Sequence, residues 1–500
     1  MASLQHRRLG LSHALYEEIR ARMADGTYAI GAPMPSTRAF AAERGLSRAT
    51  VTLVYEQLAA DGFIETRPGA ASRVANGAAA MAGSPQSLLS VPSNAKPAHL
   101  ARPLSAIGQR IAALGLATPN PTAGAQNIDF VYGPLSGADF PTLAWTKALR
   151  AAERQRSNRL EYDDPRGSIA LRAALQAHLS RTRGLACSAE QIVIVSGSQQ
   201  ALDLCARLLV DPGDEVAVEN PGYRMAHHAF EAYGARLRFL AIDEHGAKTD
   251  GLDCLTNAKL AYVTPTHQFP LGGFLPIGRR RQLLEWAGRS KAWVIEDDYD
   301  SEYRYAVRPE ATLLSLDAHG CVIHVGTFSK TLSPQLRLGY MVLPPSLIEP
   351  FTAAKRVTDR HAATGVQRAL ALLLEDGSYD RHVRRMRRLQ QARQTALLQA
   401  LQRHLGAKAQ VQGAASGLHV VVRLPSLPAS AEPLLVAAAQ RLGVRVHPLS
   451  PLFHPQAPDR ALPRPCGLVT GYALLQPEVI EKGVERLAHA VRELEQALTR

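Results

Sequence analysis

The 500-residue chain has no apolar run approaching the ~18–20 residues that cross a membrane, and its first residues contain no apolar leader core. Cysteine is scarce. Cys187, Cys205, Cys254, Cys321 and Cys466 are odd in number, scattered and mostly set in apolar runs. That usage argues against a disulfide framework and for reduced thiols in a cytoplasmic protein. Seventeen histidines show no ligand spacing, so no metal is expected. Acidic residues are in deficit: 57 Lys+Arg against 44 Asp+Glu give a net charge of +13. The excess suits a polyanionic partner, although charge by itself argues only weakly for nucleic acid. The remainder, 46% hydrophobic and 20% charged, is ordinary globular composition. Five hundred residues exceed one core, so at least two domains are expected.

Residues 1–75 read as a helical module with a hairpin. Leu11, Leu15, Ile19 and Met23 make one helix face between Leu11 and Ala24. Ser36 caps a second helix opening at Ser36-Thr37-Arg38, and Gly45 ends it. Ser47 caps a third, whose Val51, Val54, Tyr55 and Leu58 face inward while Arg48, Thr50 and Thr52 crowd its exposed N-terminal turns. Residues 62–69, Gly-Phe-Ile-Glu-Thr-Arg-Pro-Gly, read as a short hairpin. Two helices joined by a tight turn, the second presenting Arg and Thr at its start, form a helix-turn-helix. Ser36, Thr37, Arg38, Ser47, Arg48, Thr50 and Thr52 are the candidate DNA contacts, to base edges and phosphates. The module carries nine Arg against seven Asp/Glu, so docking rests on placement more than on bulk charge.

The block resembles the winged helix of GntR-type bacterial regulators. The match runs from Leu15-Tyr16 through Pro35-Ser36-Thr37-Arg38, Leu46-Ser47-Arg48-Ala49-Thr50-Val51 and Tyr55-Glu56-Gln57-Leu58 to Gly62-Phe63-Ile64. The stretch 68–74 departs from the usual glycine-rich wing. The resemblance implies double-stranded promoter DNA as partner and leaves RNA polymerase open as another.

Residues 76–125 contain no acid and are rich in Ala, Gly, Ser and Pro, which reads as flexible linker with a short helix around Ile107–Leu114. Strands then alternate with helices, at Gln191–Val195, Glu215–Val218, Leu237–Leu240, Leu260–Thr264, Trp293–Glu296, Cys321–Gly326 and Tyr340–Leu343. This predicts an α/β domain with a mostly parallel sheet over 126–344, its ligands at the strand carboxyl ends. Helices dominate 345–500, with strands near Leu418–Leu424 and Leu468–Tyr472, a smaller C-terminal lobe. Residues 351–408 hold twelve Lys/Arg and four Asp/Glu, and Arg381, Arg384, Arg385 and Arg388 share a helix face. A solvated face explains them; DNA bending against the lobe is the sharper reading.

The chemistry concentrates at strand ends. The run Cys321–Val325 delivers Thr327, Ser329 and Lys330, with Arg337 seven residues on. A desolvated lysine forms Schiff bases, and hydroxyls with an arginine suit a phosphate. An aldehyde bearing a phosphate suggests pyridoxal 5'-phosphate (PLP). Taken alone, the stretch fits a surface lysine equally well. Elsewhere, Ser196-Gly197-Ser198-Gln199 opens a helix whose N-terminus suits a phosphate, and Tyr223 follows a turn where a ring can stack on a pyridine. Asp297, after another strand, suits a pyridine nitrogen, and Tyr299 the 3-oxygen. The pair Asp297-Asp298 also fits a solvated loop; a metal site lacks further ligands.

In this order, these residues resemble fold-type I PLP enzymes of the class I aminotransferase kind. The resemblance implies that Lys330 is the Schiff-base lysine and that Asp297 and Tyr299 hold the ring nitrogen and 3-oxygen. It implies that Ser198, Gln199, Thr327, Ser329 and Arg337 hold the phosphate, that Tyr223 stacks, and that Tyr162 reaches the phosphate of a neighbouring subunit in a homodimer. A GntR module before such a domain resembles the MocR/GabR-type regulators, as do the run 296–303 and Thr264–Pro270. Two departures from working aminotransferases stand out: Phe269 in place of the Asn that touches the 3-oxygen, and Val469 in place of the Arg that binds the substrate carboxylate. The expectation is a multidomain, PLP-dependent transcription regulator, a winged helix fused to an aminotransferase-like α/β domain. Its effector is an amine, an amino acid or PLP itself, with Arg224 or Arg464 as replacement clamps. The alternative is an active aminotransferase with an accessory domain.

Overall fold

The computed structural model describes residues 2–67, 70–76, 103–116, 127–155, 161–305, 311–458 and 463–499, with side chains from 12 to 498. They form two compact units, Met1–Pro103 and Leu104–Arg500.

In the first unit, helices α1 (Ala2–Ala24), α2 (Thr37–Arg44) and α3 (Arg48–Ala60) surround Leu15, Ile19, Met23, Phe40, Val51, Val54 and Leu58. α1 begins earlier than its apolar stripe suggests. The Ser36 hydroxyl accepts the Ala39 N–H at 3.1 Å, and the Ser47 hydroxyl accepts that of Thr50 at 3.2 Å. Between them Gly45 takes the left-handed conformation, φ 62°, that closes α2 in one residue. The Tyr55 phenol donates to the Pro35 carbonyl at 2.9 Å and ties α3 to the entrance of α2. The hairpin is wider than 62–69. Strand β1 (Ile64–Glu65) pairs with β2 (Arg73–Val74), beyond the end of that stretch.

Most of the expected linker, 77–102 and 117–126, lies outside the described residues. The short helix is present as Ala106–Ala113, and its Arg110 Nε donates to the Ala232 carbonyl at 2.9 Å, within the second unit.

The second unit carries an eight-stranded sheet in the order β4-β11-β10-β9-β8-β5-β6-β7. The strands are β4 (Ile192–Val195), β5 (Glu215–Asn220), β6 (Arg236–Asp243), β7 (Gly246–Ala247), β8 (Ala258–Val263), β9 (Trp293–Asp298), β10 (Val322–Thr327) and β11 (Gly339–Val342). Their pairings are parallel except at β11 and β7. β4, β10 and β11 are buried throughout, as strands covered on both faces must be. Alternation divides them between two cores: Val193 and Val195 pack with Leu202 and Phe230, Ile192 and Ile194 with Leu171 and Leu370. Helices Ile348–Asp359 and Thr364–Glu375 also bury Phe351 and Leu370 in these cores. The smaller sheet is antiparallel, β12 (Gln410–Gln412), β13 (His419–Pro428), β16 (Pro465–Gly471) and β15 (His447–Pro448), beside a pair formed by β14 (Val444–Arg445) and β3 (Ile128–Asp129). Among the described residues no helix is long and apolar enough to cross a membrane.

Candidate functional site

Two surfaces carry chemistry, one in each unit. On the first, Ser36, Arg38, Ser47 and Arg48 are exposed and Thr37, Thr50 and Thr52 half-buried, gathered at the starts of α2 and α3. The module's other described arginines are largely occupied: Arg20 pairs with Glu17, Arg22 and Arg44 with Glu18, and Arg73 donates to the Gly31 carbonyl. Arg38 and Arg48 have no such partner among the described residues, so their charge is available to a phosphate or a base edge.

In the second unit, the carboxyl ends of β4, β8, β9 and β10 open on a cavity of about 320 Å³. Ser198, Gln199, Tyr223, Asp297, Tyr299, Thr327, Ser329, Lys330 and Arg337 all line it. Lys330 Nζ donates to the Gly133 carbonyl at 3.0 Å. Burial holds its amine below the ordinary lysine value, against the opposing pull of Asp300 and Asp297. Asp297 is buried, and burial pushes its carboxyl up to about 6. The Tyr262 phenol donates to Asp297 Oδ2 at 2.7 Å, while Oδ1 is enclosed without a partner. A buried acceptor with one unused oxygen is what a protonated ring nitrogen would satisfy. The Tyr299 phenol lies 2.9 Å from His267 Nδ1, and the same nitrogen lies 2.9 Å from Asp300 Oδ2.

The hydroxyls and guanidinium of the lining could hold an anion. Thr327 Oγ1 donates to Ser329 Oγ at 3.0 Å and accepts the Ser329 N–H at 3.2 Å. Arg337, itself at φ 51°, reaches back to donate to the Ser196 carbonyl at 2.6 Å. Its guanidinium lies so close over Gly197, at φ 79°, that a Cβ there would sit 2.7 Å from Arg337 Nη2. Ser196 is fixed from behind: its N–H donates to Gln200, which donates to Asp359 at 2.9 Å, and Lys355 Nζ holds Asp359 at 2.7 Å. The Gln199 amide donates to the Met225 carbonyl and leaves its Oε1 buried without a partner.

Tyr162 does not line the cavity. It is 71% exposed, with the Arg360 guanidinium 4.2 Å over its ring. Phe269 does line it, in contact distance of the Tyr132, Tyr223, Tyr299 and His419 rings. Val469 is buried opposite Val421, packed with Phe269, Leu449 and Phe453. Neither replacement clamp lines the cavity. Arg224 Nη1 lies 3.0 Å from His227 Nδ1, and Arg464 stacks on Phe453 at 4.0 Å. Among the described residues Arg337 is the one arginine in the lining, and His419, also in the lining, is kept neutral, since burial pulls its pKa down to about 3.

Sequence reasoning passed over Tyr262, His267, Asp300, Tyr132 and His419. Tyr262 was legible in principle, because a phenol in the apolar strand Leu260–Val263 needs a polar partner. His419 and Tyr132 arrive from the smaller lobe and from the segment after β3, far away in sequence, and carried no local signal.

The aminotransferase class I and II family profile matches residues 132–487, and the profile of bacterial regulatory proteins of the gntR family matches residues 11–74. A probable rhizopine catabolism regulatory protein, MocR, of Rhizobium meliloti is 34% identical over 482 residues, 96% of this chain and 94% of its own length. The chain belongs to the MocR-type regulators. A second relative, the HTH-type pyridoxine biosynthesis transcriptional regulator PdxR of Corynebacterium glutamicum, is 31% identical over 399 residues, 79% of this chain and 80% of its own. The second unit shares its fold with aminotransferases. A kynurenine aminotransferase of Pyrococcus horikoshii, solved with PMP and with kynurenine as substrate, superposes with a TM-score of 0.69 at 28% identity, covering 77% of this chain and 96% of that one.

Proposed function

We propose that this MocR-type chain is a PLP-dependent transcription regulator: the helix-turn-helix binds promoter DNA, and the aminotransferase-like unit holds PLP and senses PLP or an amine linked to it. The observation that carries the reading is the cavity, where a desolvated lysine, an unpaired buried carboxylate oxygen and an arginine-closed hydroxyl cup share one space. Bound there, PLP supplies an electrophilic carbonyl and an electron sink. Lys330 would hold it and Asp297 would face the ring nitrogen. Tyr223 and Phe269 would flank the ring. Ser198, Gln199, Thr327, Ser329 and Arg337 would take the phosphate. Tyr162, exposed and already beside an arginine, would serve a second copy of the chain in a homodimer.

Regulation rather than turnover follows from the clamp position. An α-amino acid brings a carboxylate, and burying it unpaired costs several kcal/mol. Val469 offers it nothing, and Arg337 is committed to the cup. The effector is therefore PLP or a simple amine before an α-amino acid, with residual transamination at most. Operator fragments from beside the gene should be retarded by the full chain, with PLP changing the midpoint. Steady-state transamination across amino acids and keto acids at rates typical of aminotransferases would instead make the chain an enzyme with an accessory domain.

A further inference from the structure

A second cavity, of about 420 Å³, lies on the second unit between the end of helix Ile169–Arg183, the segment 301–304 after β9 and the first turns of helix Ser378–His404. Arg181, Arg183, Arg304, Arg384 and Arg387 line it, and the carboxylates lining it are Glu302 and Asp380. The pairing is incomplete. Asp380 takes Arg181 at 2.9 Å and stands 3.3 Å from His178. Arg183 is matched by Asp298 at 3.2 Å and Glu302 at 3.4 Å. That uses both acids and leaves three guanidinium groups. Among the described residues, Arg387 Nε donates only to the Glu302 backbone carbonyl. Arg384 is exposed and makes no ion pair or hydrogen bond among the described residues. Among the described residues, Arg304 Nε and Nη1 are enclosed without an acceptor, and Arg304 lines the recess.

Scattered surface arginines are solvated and need no ligand. Arg304 is different, because two of its donors have lost water and gained no acceptor, a cost that an anion brought into the recess would offset. Burial, with the neighbouring Arg183, outweighs the opposing pull of Asp298 and Glu302 and disfavours its charge, so an added negative group is stabilising there. Planar guanidinium forks converging on one recess match the oxygens of a phosphate.

We propose that this recess binds a small phosphate-bearing anion, at a site separate from the cofactor cavity. A small anion is favoured over a nucleic-acid backbone because the unsatisfied cation, Arg304, sits in the recess and not on the outer helix face. One stretch of chain lines both this recess and the cofactor cavity. Asp297, Tyr299 and Asp300 line that cavity, while Ser301, Glu302 and Arg304 of the same stretch line the recess. Tyr379, also in the recess, donates to Thr331 Oγ1 at 2.9 Å, next to Lys330.

The test is calorimetric titration of pyrophosphate into the full chain, with and without saturating PLP. One saturable site should persist with PLP present. Arg384→Glu, an exposed change that leaves the fold intact, should weaken it at least about tenfold, the worth of one charge-assisted hydrogen bond. Arg304→Gln and Arg387→Gln should each weaken it too. Without PLP a second site should show, lost in Arg337→Gln but untouched by Arg384→Glu. If PLP fails to bind, the Arg384-dependent site still stands, so the two readings fail separately. The proposal is overturned if pyrophosphate does not bind the PLP-loaded chain. It is equally overturned if the Arg384→Glu and Arg304→Gln variants bind as the wild type does, or if Arg384→Glu weakens only random duplex DNA.

Discussion

Removing the Tyr262 hydroxyl should move the pH at which PLP binding fails. Asp297 is buried, its Oδ2 accepts from Tyr262 at 2.7 Å, and its pKa stands near 6 with that bond in place. The sign follows from which state holds the proton. The empty cavity binds a proton on Asp297 below about pH 6, whereas a bound pyridinium needs the carboxylate, so affinity falls as the pH drops through 6. The bond to Tyr262 lowers this pKa, so Tyr262→Phe raises it. A hydrogen bond to a charged group is worth about 1.5–3 kcal/mol, which moves the edge upward by roughly 1–2 pH units. At pH 6 the variant should then bind PLP roughly 5- to 50-fold more weakly than the wild type, and at about pH 8.5 almost equally. Fluorescence titration with PLP across pH reads this directly, with thermal unfolding as the control for folding. An unmoved edge in Tyr262→Phe, or a loss of affinity uniform in pH, would refute the placement of Asp297 at the ring nitrogen.

Other outcomes follow from the same geometry. Borohydride reduction of the PLP-loaded chain and peptide mapping should place the pyridoxyl group on Lys330, whose amine is desolvated; a group elsewhere would contradict its assignment. Arg38→Ala and Arg48→Ala should each cost about 1–3 kcal/mol of operator binding if they touch bases, with PLP absorbance unchanged. Gly197→Ala should weaken PLP binding and lower stability by about 1–3 kcal/mol, since its φ is +79° and the new methyl group would meet Arg337; a wild-type unfolding midpoint would show the cup to be looser than described.

How much of this was legible in the sequence varied with how local the signal was. The helix-turn-helix could be read because its signals are adjacent: Ser36 and Ser47 cap their own helices and Gly45 makes the turn between them. The parallel sheet was legible for a similar reason, since strands buried on both faces are continuous apolar runs such as 192–195. The strand-end residues came with them, because a loop after a buried strand in such a sheet meets the ligand. The wing was misread because its second strand forms at Arg73–Val74, beyond the stretch 62–69. The supports of the cavity were invisible. Lys355, Asp359 and Gln200 hold Ser196 through a chain of bonds spanning more than 150 residues, and nothing near Asp359 in sequence says so. The arginines of the long helix looked like one solvated face. In the structure Arg385 donates to the Asp139 carbonyl, Arg387 to that of Glu302, and Arg384 turns to the recess.

The most direct test of the central claim is a titration of operator binding with PLP, run on the wild type and on Lys330→Ala in parallel. A PLP-dependent regulator should show a saturable change in operator affinity with PLP in the wild type, lost in Lys330→Ala, while both bind the operator alike without PLP. An operator affinity indifferent to PLP in the wild type, or a PLP response of equal size in Lys330→Ala, would contradict it.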